Sequence, residues 1–262
     1  MRISKSELKF LRSLSQKKVR DLERKFVVEG WRALKDALNS DFRISLVAMT
    51  HQYATDPDHQ SFIGEIDARK IQRKELTEIE IGQVSETVHA QGVVAVVEQN
   101  NVSLDGALKR GPSLVVFADH IADPGNLGSI VRTCDWFGAD ALVLSEGCVD
   151  LYNDKVVRST SGSIFHVPVV ESADTGSVLL QFKSRGFRII ATAGEAKKSY
   201  VDAQYRDKNV LVLGSEANGV TKEAREIADV LVGIPRYGRA ESLNVGVACG
   251  IMLSHLKNFK LR

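Results

Sequence analysis

From Leu114 onward, short apolar runs alternate with segments of helical spacing. Leu114–Ala118, Ala141–Leu144, Val167–Val170, Arg188–Ala191, Val210–Leu213 and Val230–Ile234 read as strands with few polar positions. Between them, Asn126–Phe137, Asp154–Ser159, Gly176–Ser184 and Thr221–Ala228 read as helices, and a long final helix is predicted over about Leu243–Asn258. Such alternation specifies an α/β fold with a parallel sheet covered on both faces. Ligands of these sheets sit beyond the carboxyl ends of the strands, which directs attention to the loops there.

The first hundred residues follow a different pattern. Leu8, Leu11 and Leu14 fall at helical intervals behind Ser4 and Ser6, either of which suits an N-cap, and Trp31, Leu34 and Leu38 mark a second helix stopping at Asn39-Ser40. Ile44–Ala48 and Phe62–Ile66 are short β-branched runs, and Val93–Val97 is the clearest strand of this half. Arg69–Glu80 holds a short helix and a connecting strand, and a weak helix is expected at Leu104–Lys109. Polar residues after Val97 and then Arg110-Gly111-Pro112 read as a hinge. The expected organisation is a small α/β domain over 1–100, a linker over 101–112 and a larger domain over 113–262.

Composition narrows the class. The chain of 262 residues is 44% hydrophobic and 26% charged, ordinary values for a globular protein, and it contains no apolar run of the ~18 residues that cross a bilayer. Three cysteines (Cys134, Cys148, Cys249) at unrelated spacings form neither a disulfide framework nor a metal motif, so a reducing cytoplasm and no metal are expected. The net charge of +2 hides an asymmetry: residues 1–40 carry eleven Lys and Arg against five Asp and Glu. A cationic arm that includes Lys17, Lys18 and Arg20 suits a polyanion such as RNA, and it equally suits a solvated helix face.

Three loops carry candidate chemistry. After Ala118, the stretch Asp123-Pro124-Gly125-Asn126-Leu127-Gly128 reads as a turn followed by a helix capped at Asn126, with Arg132 six residues further on. After Val212-Leu213, the pattern Gly214-Ser215-Glu216-Ala217-Asn218-Gly219 is neither a Walker loop nor a dinucleotide fingerprint; its glycines would let backbone groups approach a flat ligand. After Ile234-Pro235, the loop reaches Ser242-Leu243-Asn244-Val245, where Ser242 suits an N-cap and the helix that follows is rich in small residues. His120 and Cys134, residue types that often do chemistry, are expected to be structural here.

Taken together, Asn126-x-Gly128-x3-Arg132-Thr133, Gly214-x-Glu216-x2-Gly219 and Ile234-Pro235 with Ser242-Leu243-Asn244-Val245 resemble the three motifs of the SpoU (TrmH-like) class of SPOUT RNA methyltransferases, over roughly residues 113–262. Phe26–Trp31 and Gln91–Ala95 are similar to the opening and closing phrases of that family's L30e/L7Ae-like substrate-binding extension. The resemblance implies a deep C-terminal trefoil knot, a homodimer, S-adenosyl-L-methionine as methyl donor and a ribose 2′-hydroxyl of structured RNA as acceptor. With this extension ribosomal RNA is the expected substrate, and transfer RNA is the alternative.

The resemblance also implies roles. Arg132 is assigned to activating the hydroxyl, with Asn126, Glu216, Ser242 and Asn244 completing the catalytic set. Thr192, Gly194, Leu213, Gly214, Ile234 and Leu243 match positions around the cofactor, and Arg158 lies in a stretch resembling the substrate side, where it suits an RNA contact or a surface cation. A guanidinium holds its proton through neutral pH and is a poor base. Arg132 therefore either loses its proton readily through its surroundings, or acts as a cation that clamps a phosphate and stabilises a developing alkoxide. A non-catalytic RNA-binding or ribosome-assembly factor on the same fold is the competing class, disfavoured because a pure binder has no use for intact cofactor loops. A nucleotide-dependent α/β enzyme is disfavoured because no phosphate loop is present.

Overall fold

The computed structural model describes residues 1–85, 90–109, 111 and 113–259, so Arg110 and Pro112 of the expected hinge lie outside the described residues. In chain order the elements are α1 (Lys5–Ser13), α2 (Lys17–Glu23), β1 (Lys25–Glu29), α3 (Trp31–Leu38), β2 (Ile44–Thr50), α4 (His51–Thr55), α5 (Gln60–Ala68), β3 (Arg73–Leu76), α6 (Glu78–Gly82) and β4 (Val93–Glu98). There follow α7 (Leu104–Leu108), β5 (Leu114–Asp119), α8 (Pro124–Trp136), β6 (Ala141–Ser145), α9 (Asp154–Thr160), β7 (Val169–Ala173) and α10 (Thr175–Ser184). The last are β8 (Arg188–Thr192), β9 (Asn209–Gly214), α11 (Lys222–Ile227), β10 (Val230–Val232) and α12 (Val245–Phe259). Two compact units result: Met1–Asn100 with Tyr152–His166, and Asn101–Leu151 with the chain from Val167 onward.

In the first unit, a four-stranded mixed sheet runs β1-β4-β2-β3, with β4 antiparallel to both neighbours and β3 parallel to β2. Ser4 starts α1 through a capping box with Glu7, whose carboxyl is held down to about 2 by the Lys74 ammonium first and the Ser4 amide and hydroxyl next. Leu11 and Leu14 then pack against Leu46, Val94 and Val96 of the sheet. Phe62–Ile66 is part of α5 rather than a strand, because Ile63 and Ile66, three residues apart, are the buried pair and the period is helical. The unit also contains three elements the periodicity does not single out, α2, β1 and α4. The segment Tyr152–His166 completes this unit: Tyr152 packs on Phe26 with ring centroids 4.6 Å apart, its hydroxyl donates to Asn100 O at 2.9 Å, and Phe165 meets Phe42 edge-on at 5.1 Å.

The second unit is a six-stranded parallel sheet in the order β10-β8-β9-β5-β6-β7. Its central strands β5 and β9 are buried along their whole length, as their apolar runs require. One face packs on α10 and α11 through Val178, Leu179, Phe182 and Ala224. Across α8 and α12, Gly246 lets the helices close to the point where an added Cβ would sit 3.0 Å from Ser129 Cβ. The small residues of the last helix therefore serve contact with α8 within the same chain. Cys134 and Cys249 lie buried side by side in this seam, and the Cys249 thiol and burial together push the Cys134 thiol up.

Candidate functional site

The register of the second sheet brings the loop residues to one edge. Val232 pairs with Thr192, Ala191 with Val212, and Gly214 with Asp119, so β10, β8, β9 and β5 end together. Leu213 and Gly214 are buried at the tip of β9, Thr192 Oγ1 donates to Val212 O at 3.2 Å across the β8–β9 pair, and Ile234 is half-buried just past β10. Gly194 is exposed in the loop after β8, and a Cβ there would meet nothing within 4 Å. Gly214 is the opposite case. A Cβ on it would overlap the backbone of Gly219 and Val220, so the missing side chain of this glycine makes way for the chain's own returning loop.

Asn244 is the centre of the arrangement. Its Nδ2 donates to Asn126 Oδ1 at 2.7 Å and to Glu216 Oε1 at 2.9 Å, joining one residue from each of the three loops. Its Oδ1 accepts from Gly246 N at 2.9 Å and Val247 N at 3.3 Å, while Ala248 N donates to its carbonyl. Asn244 is thus the N-cap of α12; Ser242 precedes the helix as an exposed loop residue and does not cap it. Two helix-start amides that would suit an RNA phosphate are already engaged by that cap. A similar correction applies to α8, where Asp123, not Asn126, is the N-cap: its Oδ1 accepts from Asn126 N at 2.8 Å. Pro124 explains the shift, since proline is favoured at the first helical position and donates nothing that needs capping.

Arg132 is exposed on α8, about two turns beyond Asn126, and Leu243 is 46% exposed. The other expected RNA contacts separate. Lys17 and Lys18 are exposed on α2, Lys17 within 3.5 Å of Asp21. Arg20 is 3% exposed, and its Nη1 donates to Leu14 O and Ser15 O, so it caps the end of α1 and presents no face to a polyanion. Arg158 pairs with Asp154 at 3.3 Å one turn back on α9, in the first unit.

Two supports escape the sequence reading. Asp119, fully buried at the end of β5, accepts from Thr221 N at 2.6 Å and contacts His120 Nδ1 at 2.9 Å, which fixes the exit of the Glu216 loop. Arg225 joins the β8 and β9 loops: its guanidinium donates to Glu195 Oε1 and to Val220 O. The Glu195 carboxyl lies below its usual range, held there by its own backbone amide first and Arg225 second. A charged residue ending an otherwise apolar strand was the available signal for Asp119; a pair thirty residues apart left none for Arg225.

Residues 113–254 match the model of the SpoU rRNA Methylase family, and residues 5–95 match that of the MRM3-like substrate binding domain. The chain belongs to the SpoU family. Across 96% of both chains it is 32% identical to the 23S rRNA (guanosine(2553)-2'-O)-methyltransferase RlmP of Bacillus subtilis. The SpoU methyltransferase AviRb of Streptomyces viridochromogenes, crystallised with AdoMet, superposes with a TM-score of 0.87 at 25% identity, covering 98% of this chain and 99% of that one. An AdoMet-bound rRNA methyltransferase from Sinorhizobium meliloti gives 0.86 at 29%, covering 99% and 97%. SpoU enzymes use S-adenosylmethionine, and this SpoU chain is a methyltransferase. Among the described residues no cluster of three His, Cys, Asp or Glu is placed to hold a metal, and no helix is long and apolar enough to cross a membrane.

Substitutions of the central asparagine test its cap and its loop contacts separately. Asn244→Ala is expected to cost about 1 kcal/mol through loss of the cap and to lower methyl transfer at least tenfold by releasing Asn126 and Glu216. Asn244→Asp keeps the capping oxygen but sets a carboxylate against Glu216 and loses the donor to Asn126. Thermal melting should therefore rank it above the alanine variant while its turnover is no better. Equal turnover of the Asp variant and the parent chain would show that the three-way contact has no part in the reaction.

Proposed function

We propose that the chain is an S-adenosylmethionine-dependent 2′-O-methyltransferase of a guanosine in 23S-type ribosomal RNA. The observation that carries this is the meeting of Asn126, Glu216 and Asn244 at the edge where β10, β8, β9 and β5 end. The likeness to RlmP along nearly the whole of both chains favours ribosomal over transfer RNA.

The exposed Gly194, the Thr192 hydroxyl and the backbone at Leu213, Gly214, Ile234 and Leu243 suit a flat, hydrogen-bonding adenosine group. When bound, S-adenosylmethionine supplies a sulfonium methyl whose carbon–sulfur bond breaks as the new carbon–oxygen bond forms, leaving a neutral thioether. The remaining tasks fall to the protein: orienting the ribose hydroxyl and stabilising the oxygen as its proton departs to solvent. Arg132, exposed on α8, enters as a guanidinium that holds the adjoining phosphate and the developing alkoxide. The Asn244 amide fixes Asn126 and Glu216 so that the loop edges keep one shape.

The reading includes a homodimer through the second unit, supported by Trp136, Leu243 and Val247, large apolar residues 84%, 46% and 50% exposed in the single chain. It also includes the trefoil knot of the family. Residues 1–100 serve as the RNA unit, completed by Tyr152–His166, and the catalytic unit begins at Asn101, where Ala107 of α7 joins its core in place of the expected linker. Three free cysteines suit the cytoplasm. Mapping of 2′-O-methyl groups in ribosomal and transfer RNA from cells with and without the gene tests the whole. One ribosomal guanosine should lose its methyl; a loss confined to transfer RNA refutes the assignment.

A further inference from the structure

The first unit contains a cavity of about 470 Å³ where the C-terminal ends of α3 and α5 meet the start of β2. Its lining combines the apolar Leu38, Phe42, Ile44 and Ile71 with the cationic Arg43, Arg69 and Lys70 and includes no carboxylate. Arg69 is committed to structure, donating to Leu38 O and pairing with Glu65 at 2.6 Å. Arg43 is only loosely held: its side chain is 79% exposed and lies 3.7 Å from Glu98. Lys70 is exposed and adopts a left-handed φ of 57° as the chain leaves α5. A glycine would take that turn without strain, and the chain sets a cation there instead.

The wall beside these cations is an interrupted sheet edge. Pairing of β2 with β3 begins only at Val47, and the β2–β4 register shifts between Ile44 and Leu46, so Ser45 sits at an irregularity. Bulges of this kind re-aim a strand edge and are common beside binding sites. The lining also holds Ser45, whose hydroxyl donates to Val96 O at 3.2 Å and so turns acceptor lone pairs outward, and the exposed Gln72 amide. The volume lies in the range of pockets for small ligands, ~300–1,000 Å³, too small for a duplex groove.

We propose that this cavity takes one unpaired nucleotide of the RNA substrate, its base over the Phe42 ring and its phosphate against Arg43 and Lys70. The proposal rests on the reading of the chain as an RNA methyltransferase and names where its substrate unit grips RNA. An aromatic ring, polar groups and two available cations are the parts that single-stranded RNA recognition uses: the face of a base stacks, its edge hydrogen-bonds and the phosphate is neutralised. An acidic peptide would use the cations but gain little from the aromatic ring.

The test uses the full chain, filter binding of protein-free ribosomal RNA, and titration of S-adenosylmethionine. Arg43→Glu with Lys70→Glu should weaken RNA binding about tenfold and lower the slope of log affinity against log salt by about 1–2, with cofactor affinity unchanged. Lys70→Asn, which tolerates the left-handed turn, should weaken RNA binding about threefold. Lys222→Glu, the same charge change on exposed α11, should alter it less than twofold. Unchanged RNA affinity in the double variant, or an equal loss with Lys222→Glu, overturns the proposal. Micromolar binding of 5′-GMP that the double variant abolishes while RNA affinity holds overturns it in favour of a free nucleotide. Methyl transfer by the parent chain alongside an unaffected double variant refutes the cavity alone; no transfer by the parent chain refutes the reading beneath it.

Discussion

Gly214→Ala should leave a chain that neither binds S-adenosylmethionine nor holds its native stability. The new methyl would overlap the backbone of Gly219 and Val220, and backbone cannot rotate aside as a side-chain tip does. Gly214 ends a fully buried central strand paired with Asp119, so β9 cannot yield. The returning loop must move, and it is tied at both ends: Gly219 N donates to Ser215 O at 2.8 Å, and Thr221 N donates to the buried Asp119. Displacing Thr221 would strip a donor from a carboxylate with no access to water, which adds desolvation to the clash. A loss of about 3 kcal/mol or more is expected, read as a lower urea midpoint, together with absent heat in a cofactor titration. Gly194→Ala is the control, expected to melt as the parent does because its Cα faces open space. Parental midpoint and cofactor affinity in Gly214→Ala would mean that the passage over β9 is looser than the backbone indicates.

The parallel sheet was legible in the sequence because buried strands between helices leave apolar runs that little else produces. The site was legible in its residue types, since Asn126, Glu216 and Asn244 stand out in three loops. Their mutual contacts were not, because hydrogen bonds across 28 and 118 positions leave no periodic trace. Helix starts were misplaced by two or three residues for one reason: several polar residues near each start are acceptable caps, and tertiary contacts choose among them. At α12 the choice fell on Asn244, whose amide has partners on two other loops. Phe62–Ile66 shows the limit of composition. Its β-branched content favours a strand, yet Ile63 and Ile66 need burial on one side, and only a helix places them there. Arg20 shows the limit of charge counting, since a cation in a basic arm can be spent on the carbonyls ending a neighbouring helix. The incorporation of Tyr152–His166 into the first unit had no local signal, because its anchors Phe26, Phe42 and Asn100 lie far away along the chain.

Arg132→Ala is expected to lower turnover by about 10²–10³, the range for loss of one transition-state charge donor, while cofactor affinity and melting temperature stay at parental values. The stability argument is local. Arg132 is exposed, and the buried residues of α8 are Leu127, Gly128, Ile130, Val131 and Cys134, so its truncation empties no core space. The Asn244–Asn126 bond runs directly between the two side-chain amides, so the joined loops should survive truncation of Arg132. Arg132→Lys then decides between the two roles a guanidinium can take. A cation that clamps phosphate and alkoxide is replaced in part by an ammonium, which keeps the charge but not the two-pronged geometry. The lysine variant should therefore recover at least tenfold over alanine, with a pH–rate profile parallel to that of the parent chain. If the side chain instead accepts the ribose proton, the lysine variant's rate should rise with pH through the range where an ammonium deprotonates, and the profiles should diverge. Parallel profiles with partial rescue support the cation; divergent profiles replace it with the base.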